Sequence, residues 1–207
     1  MTNTSRCPLQ QLLLLGMIFL LFGCLPSNKT ATLYSLQLVE QPPLRLQSPA
    51  PASMILIMPV RVAPHLQGRS LLYQQANGET LAAAAPLWSA ALDKQIGQKV
   101  TTHLQRLLGS ANVALFPGPR YGHALYQVEI EVQEFSGDGK IFSTLATYTL
   151  SDTVSKIILI RKNFHQNRSI DNPGYSGYVE AASRAVADLS REVAAALSVT
   201  VTPHSTP

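Results

Sequence analysis

Cysteine is almost missing from this chain: Cys7 and Cys24 are the only two among 207 residues, and both lie at the extreme N-terminus. Their position excludes a disulfide scaffold and a structural zinc site of the cysteine type. Charge is also scarce, at 14% against roughly a quarter in soluble domains. The scarcity has a local cause, because Arg6 is the single charged side chain before Cys24. The net charge of +4 is weak and the cations are scattered, which argues against a nucleic-acid partner. What the chain does have is apolar residues, at 46%. That is enough for a packed core and excludes wholesale disorder.

The apolar content is densest near the start. Leu12 to Phe22 runs without a charge. A membrane-spanning helix needs roughly 20 apolar residues, so this run is too short to span and fits a signal-peptide core. Leu21-Phe22-Gly23-Cys24 follows. It resembles the lipobox of bacterial lipoproteins, with an aliphatic residue at −3, a small one at −1 and the cysteine at +1. A small residue before the cut admits the peptidase, and the Cys24 thiolate accepts a diacylglycerol. The usual residue at −2 is smaller than Phe22. The competing readings are an ordinary signal peptide with an incidental cysteine and an uncleaved anchor; no stop-transfer charge cluster follows Cys24. Leu25, rather than Asp, follows Cys24, which by resemblance to bacterial sorting rules favours the outer membrane, with the protein facing the periplasm. Two or more acyl chains anchor stably, where one anchors marginally.

The expected organisation is a signal peptide over 1–23, a tether over 24–31, one domain over 32–198 and a disordered tail over 199–207. Within the domain, 40–53 is a connection whose Pro42, Pro43, Pro49 and Pro51 exclude a helix or central strand. Alternation predicts strands at Thr32–Val39 and, most clearly, at Tyr126–Val132, with Tyr126, Val128, Ile130 and Val132 inward. The apolar run Met54–Val62 suits a central strand with a break at Pro59. Asn77-Gly78 predicts a type I′ hairpin turn between Leu71–Gln75 and Glu79–Ala83. A helix is expected over Pro86–Leu108, ended by Gly109, with Trp88, Leu92, Ile96, Val100 and Leu104 on one stripe. Val113–Phe116 reads as a short strand. Lys140–Leu150 and Val154–Phe164 complete an antiparallel meander. Ser176 is the expected N-cap of a second helix over Tyr178–Leu197. The fold class is therefore α+β: two layers, with a mostly antiparallel sheet covered on one face by two long helices.

Catalytic chemistry has few candidates. No Gly-x-Ser-x-Gly elbow and no His-x-x-x-His pair occurs, and His103 reads as a flanking residue of the first helix. Gly137-x-Gly139 is a hairpin turn rather than a phosphate loop. A non-enzymatic protein without metal or cofactor is expected, apart from the diacylglycerol and N-acyl (palmitate) chains on Cys24. Arg161, Lys162 and Arg168 are candidates for contact with an anionic lipid or acidic partner; the competing reading is a solvated face.

The order of these segments resembles a family, the PqiC-type auxiliary lipoproteins of ABC-type, MCE-containing transport systems. The resemblance rests on Tyr34-Ser35-Leu36, Ile55 to Val60 with its Pro59, Leu66 to Arg69, the Asn77-Gly78 hairpin and Trp88 with Leu92. It continues through Tyr126 to Phe135 and Gly177-Tyr178-x-x-Ala181-Ala182 to Val193-Ala194. It implies a non-catalytic outer-membrane docking component, anchored through its lipid, whose partners are an MCE-domain protein and inner-membrane transporter components. It further implies a role in lipid transport and membrane integrity, and assembly of copies into a ring. Leu66, Arg69, Tyr73 and Trp88 are the candidate partner contacts; the competing reading places Tyr73 and Trp88 in the core. Two other functions stay open, a periplasmic lipoprotein that itself binds lipid and one that regulates a periplasmic enzyme.

Overall fold

A computed structural model describes residues 32–44, 54–75, 77–109, 112–118 and 123–200, excepting the side chains of 84–86. The signal peptide, Cys24, the tether, residues 45–53 of the Pro-rich connection and the tail beyond Thr200 lie outside the described residues. The described elements are β1 (Leu33–Tyr34), β2 (Met54–Ile57), β3 (Arg61–Val62), β4 (Ser70–Gln74), β5 (Thr80–Trp88), α1 (Leu92–Leu108), β6 (Val113–Leu115), β7 (Ala124–Gly137), β8 (Ile141–Asp152), β9 (Ile158–Ser169) and α2 (Gly174–Thr200).

The meander organises the molecule. β7 alternates as its sequence predicts, with Tyr126, Val128, Ile130 and Val132 buried and Gln127, Glu129 and Glu131 on the other face. A bulge between Val132 and Glu134 then shifts the buried set to Phe135. One extra residue reverses which face the following side chains take. β8 pairs antiparallel with β7 and β9, burying Phe142, Ala146, Tyr148 and Leu150. The last strand of the meander begins four residues later than Val154 and ends at Ser169. Asp152 is the reason: its Oδ1 accepts the amides of Val154 and Ser155 (2.7 and 2.8 Å), which holds those residues in the turn.

The other edge of β7 is shared by β2, β3 and β4, all parallel to it. β2 lies between β6 and β7 and all four of its residues are buried. The run Met54–Val62 is broken into β2 and β3 around Pro59. β1 joins β5 in parallel, and β4 pairs with β5 antiparallel. The nine-stranded sheet is thus mixed, with long antiparallel ladders and short parallel ones. The parallel pairing of β2 and β6 follows from the crossover through α1 between them. Both helices pack on the same face of the sheet into one core, so the α+β, two-layer class stands.

Several local expectations are corrected. Thr80–Trp88 is one strand, and α1 begins only at Leu92 with Ala91 as its N-cap. The alanine-rich stretch is drawn into the sheet by neighbours on both sides: Leu87 N donates to Thr32 O (3.0 Å) and Trp88 N to Arg69 O (2.6 Å). Tertiary pairing overrides helix propensity here. The β4–β5 turn is not type I′, because Gly78 (φ 84°) alone takes a positive φ among its described residues; Gly78 N donates to Gln75 O and Gln75 N to Glu79 O. Ser176 is not an N-cap, since α2 starts at Gly174 (φ 81°). α2 also runs to Thr200, into the segment expected to be tail. Gly109, by contrast, closes α1 with φ 59° as expected.

The first strand covers Leu33–Tyr34 rather than Thr32–Val39. Beyond it the chain leaves the sheet and lies along the two helices. Leu36 N donates to Gln95 Oε1 (2.8 Å) on α1, and Gln37 N to Ser183 Oγ (2.9 Å) on α2. Further on, Arg191 Nη2 donates to Pro42 O (3.0 Å) and Leu44 N to Leu107 O (3.1 Å). The alternation read from the sequence is kept, with Leu36 buried between exposed Ser35 and Gln37. Its cause is burial against helices, not a strand ladder.

Candidate partner-binding site

An aromatic cluster sits where β4, β5, β7, β8 and the start of α2 meet. Trp88 lies 6.5 Å from Phe135 and 6.4 Å from Tyr178, ring centroid to centroid. Phe142 meets Phe135 at 4.8 Å and Tyr178 at 5.0 Å, both edge to face, the arrangement aromatic quadrupoles favour. Tyr178 donates from its hydroxyl to Leu72 O (2.7 Å), tying α2 to β4. Burial pushes its pKa above the ordinary tyrosine value. Two glycines permit the approach. A Cβ on Gly137 would stand 3.0 Å from the Tyr178 ring, and one on Gly177 would stand 1.8 Å from Asn172 O.

The four expected contact residues have different fates. Trp88 is 2% exposed and Leu66 5%, so both belong to the core. Arg69 donates from Nε to Trp88 O (2.7 Å) and from Nη2 to Ser89 O (3.1 Å), so its guanidinium fastens the end of β5 to the start of β4. Arg69 and Tyr73 are both exposed, Tyr73 at 40%. The Tyr73 hydroxyl donates to Asp138 O, laying the ring against the β7–β8 turn at Gly139.

Beside Tyr73 is a cleft of about 120 Å³ lined by Leu71, Leu72, Tyr73, Gly174, Tyr175 and Tyr178. Tyr175 is 42% exposed, and Tyr34 lies 6.4 Å from it. Sequence reasoning missed Tyr175, because it fell before the expected helix start. The early start of α2 is what turns it toward Tyr73. A cleft of this size with an apolar lining has room for one apolar side chain. The opposite face of the sheet is polar: Arg61 pairs with Glu129 (3.4 Å) and Glu131 (3.7 Å) over an open groove that Arg161 also lines. Exposed pairs of this kind contribute about 0–1 kcal/mol each.

His103 is buried in α1, not flanking as expected, and its Nε2 finds no hydrogen-bond partner among the described residues. Its pKa is lowered to about 4 by burial and, to a lesser degree, by the charges of Arg106 and Lys99. Arg168, a candidate for partner contact with a solvated face as the competing reading, pairs with Asp188 of α2, which also accepts from Gln166 Nε2 (2.7 Å). No described residues form a group of three or more His, Cys, Asp or Glu set to hold a metal. No described helix is long and apolar enough to cross a membrane.

A curled mixed sheet backed by two helices, with an apolar cleft between β4 and the start of α2, defines an α+β domain. The family model of the ABC-type transport auxiliary lipoprotein component matches residues 34–194, and the chain belongs to that family. Two solved structures share the fold. One is an uncharacterized protein, 20% identical, with a TM-score of 0.67 over 82% of this chain and 100% of that one. The other is protein XCC0632 from Xanthomonas campestris, 14% identical, with a TM-score of 0.70 over 82% of this chain and 96% of that one. No curated protein matches the chain.

Proposed function

We propose that the chain is a lipid-anchored docking component at the outer membrane, facing the periplasm, that serves an ABC-type transporter through an MCE-domain protein. Its contribution is positional: it holds the partner system at the envelope while lipids or other apolar molecules are moved, and so maintains membrane integrity. One observation carries this reading. The family match begins at Tyr34, ten residues after Cys24, and Leu21-Phe22-Gly23 precedes that cysteine. Diacylglycerol and an N-acyl chain on Cys24 would anchor the domain without further apolar surface. Leu25 supports the outer membrane over the inner one.

The size of the cleft supports docking over lipid carriage. Sites for drug-sized ligands run to about 300–1,000 Å³ and are mostly apolar. The Tyr73–Tyr175 cleft is about 120 Å³; of two larger hollows, one of about 310 Å³ is lined by Arg61, Glu129, Glu131 and Lys156, and one of about 450 Å³ by Arg61, Gln67 and Asp93 beside Val60, Leu66 and Leu92. The test is recovery of the lipidated protein from membranes in mild detergent. Copurification of an MCE-domain or ABC component is expected; recovery of neither, with a periplasmic enzyme in their place, overturns the reading. Separately, Cys24→Ser moves the protein out of the sedimenting membrane fraction, and a mutant that still sediments shows that acylation is not what holds it.

A further inference from the structure

The turn between β8 and β9 and the first two residues of β9 hold four exposed aliphatic side chains within six residues. Val154 is 76% exposed, Ile157 59%, Ile158 58% and Leu159 37%. A turn needs none of these residues; small polar ones are usual. The turn is also built rather than loose. Asp152 Oδ1 caps the amides of Val154 and Ser155, Asp152 N donates to Ile157 O (3.0 Å), and Lys156 N donates to Asp152 O (3.1 Å). Thr153 N donates to Leu125 O (2.9 Å), which fastens the tip to β7. The aliphatic side chains are therefore held out in water. Exposed apolar groups of this kind mark contact surfaces.

Charge and position narrow the occupant. From Thr153 to Ile170 there are Lys156, Arg161, Lys162 and Arg168 and no acidic residue; Arg168 is taken by Asp188. The tip stands beside Leu125, whereas β1 enters the sheet beside Trp88, whose ring meets Phe135. Leu125 and Phe135 are ten residues apart on β7, about 33 Å at ~3.3 Å per residue. The tether from Cys24 to Ala31 reaches at most about 28 Å. With Cys24 in the bilayer, the tip stands at the far end of the sheet from the point where the chain enters, which favours a protein over the lipid surface.

We infer that the Val154–Leu159 tip docks into a different protein that presents an apolar recess rimmed by carboxylates. The inference rests on the anchored-lipoprotein reading and supplies the contact surface it lacks. Its test is photo-cross-linking of the full-length protein in cells with p-benzoylphenylalanine replacing Val154. The expected adduct joins a second protein at an apolar peptide flanked by Asp or Glu. The triple variant Lys156→Glu, Arg161→Glu, Lys162→Glu lowers its yield about tenfold, the loss of some 1.4 kcal/mol of affinity. A phospholipid adduct, an adduct with a second copy of this chain, no adduct, or one indifferent to charge reversal overturns the inference. The partner's identity bears on the parent reading alone: a protein outside any transport system defeats the transport role and leaves the tip as a docking surface. Unchanged thermal unfolding of the variants separates lost docking from lost folding.

Discussion

Gly177 shows how one atom decides a packing arrangement. A side chain there would place Cβ 1.8 Å from Asn172 O, so the backbone itself must move to admit one. Gly177→Ala is expected to cost about 1–3 kcal/mol, read as a lowered urea midpoint at unchanged slope. Its neighbour Tyr178 makes the bond to Leu72 O, and Tyr178→Phe costs about 1–3 kcal/mol if that buried acceptor is left unpaired. His103 carries a pH dependence. Its folded pKa, about 4, lies below the ordinary value of 6.5, because burial and then Arg106 and Lys99 disfavour the imidazolium. Between those values the unfolded chain binds the extra proton. The His103 contribution is complete above pH 6.5 and is lost as pH falls toward 4, on the order of 2–3 kcal/mol. Urea midpoints at pH 7.5 and 4.5 measure it, and His103→Leu should flatten the difference. None of these three roles was legible beforehand. His103 looked like a flanking residue because its position relative to the stripe does not show that the arm and α2 close over α1.

At the level of elements, the strands of the meander were readable because each buries one face, and a single buried face imposes a period of two. β5 was not readable. Its alanines suit a helix, and only hydrogen bonds to Thr32 and Arg69, distant in sequence, make it a strand. The arm from Ser35 to Leu44 is a similar case, held by side chains of α1 and α2 in place of a ladder. Gln95→Ala should therefore loosen the arm without opening the core: hydrogen exchange in residues 32–44 rises, while exchange in β7 and β8 stays slow. Equal acceleration in both would mean that the arm is part of the core's cooperative unit. The candidate site divides in the same way. Tyr73 was named from the sequence, but Tyr175, across the cleft, depended on α2 starting four residues early.

For the whole molecule, one apolar cluster joins the strands to both helices. The domain is expected to unfold in one transition, with fluorescence of Trp88 and far-ultraviolet circular dichroism giving the same midpoint. Separate midpoints would mean that the arm and β4–β5 region melts apart from the meander. The proposed anchor, Cys24, lies outside this cluster, and Cys24→Ser is expected to change fractionation without moving that midpoint.

Local spacing in the chain was enough to read the α+β class, both amphipathic helices and the alternating meander, as well as the short apolar run before Cys24. Each of these follows from local spacing: apolar run length, a period of two, or a period near 3.6. Tertiary structure alone decided the parallel pairings around β2, the recruitment of Thr80–Trp88 to the sheet, the burial of Leu66, Trp88 and His103, and the exposure of Val154 to Leu159. These depend on which distant segments become neighbours, and no local period carries that information.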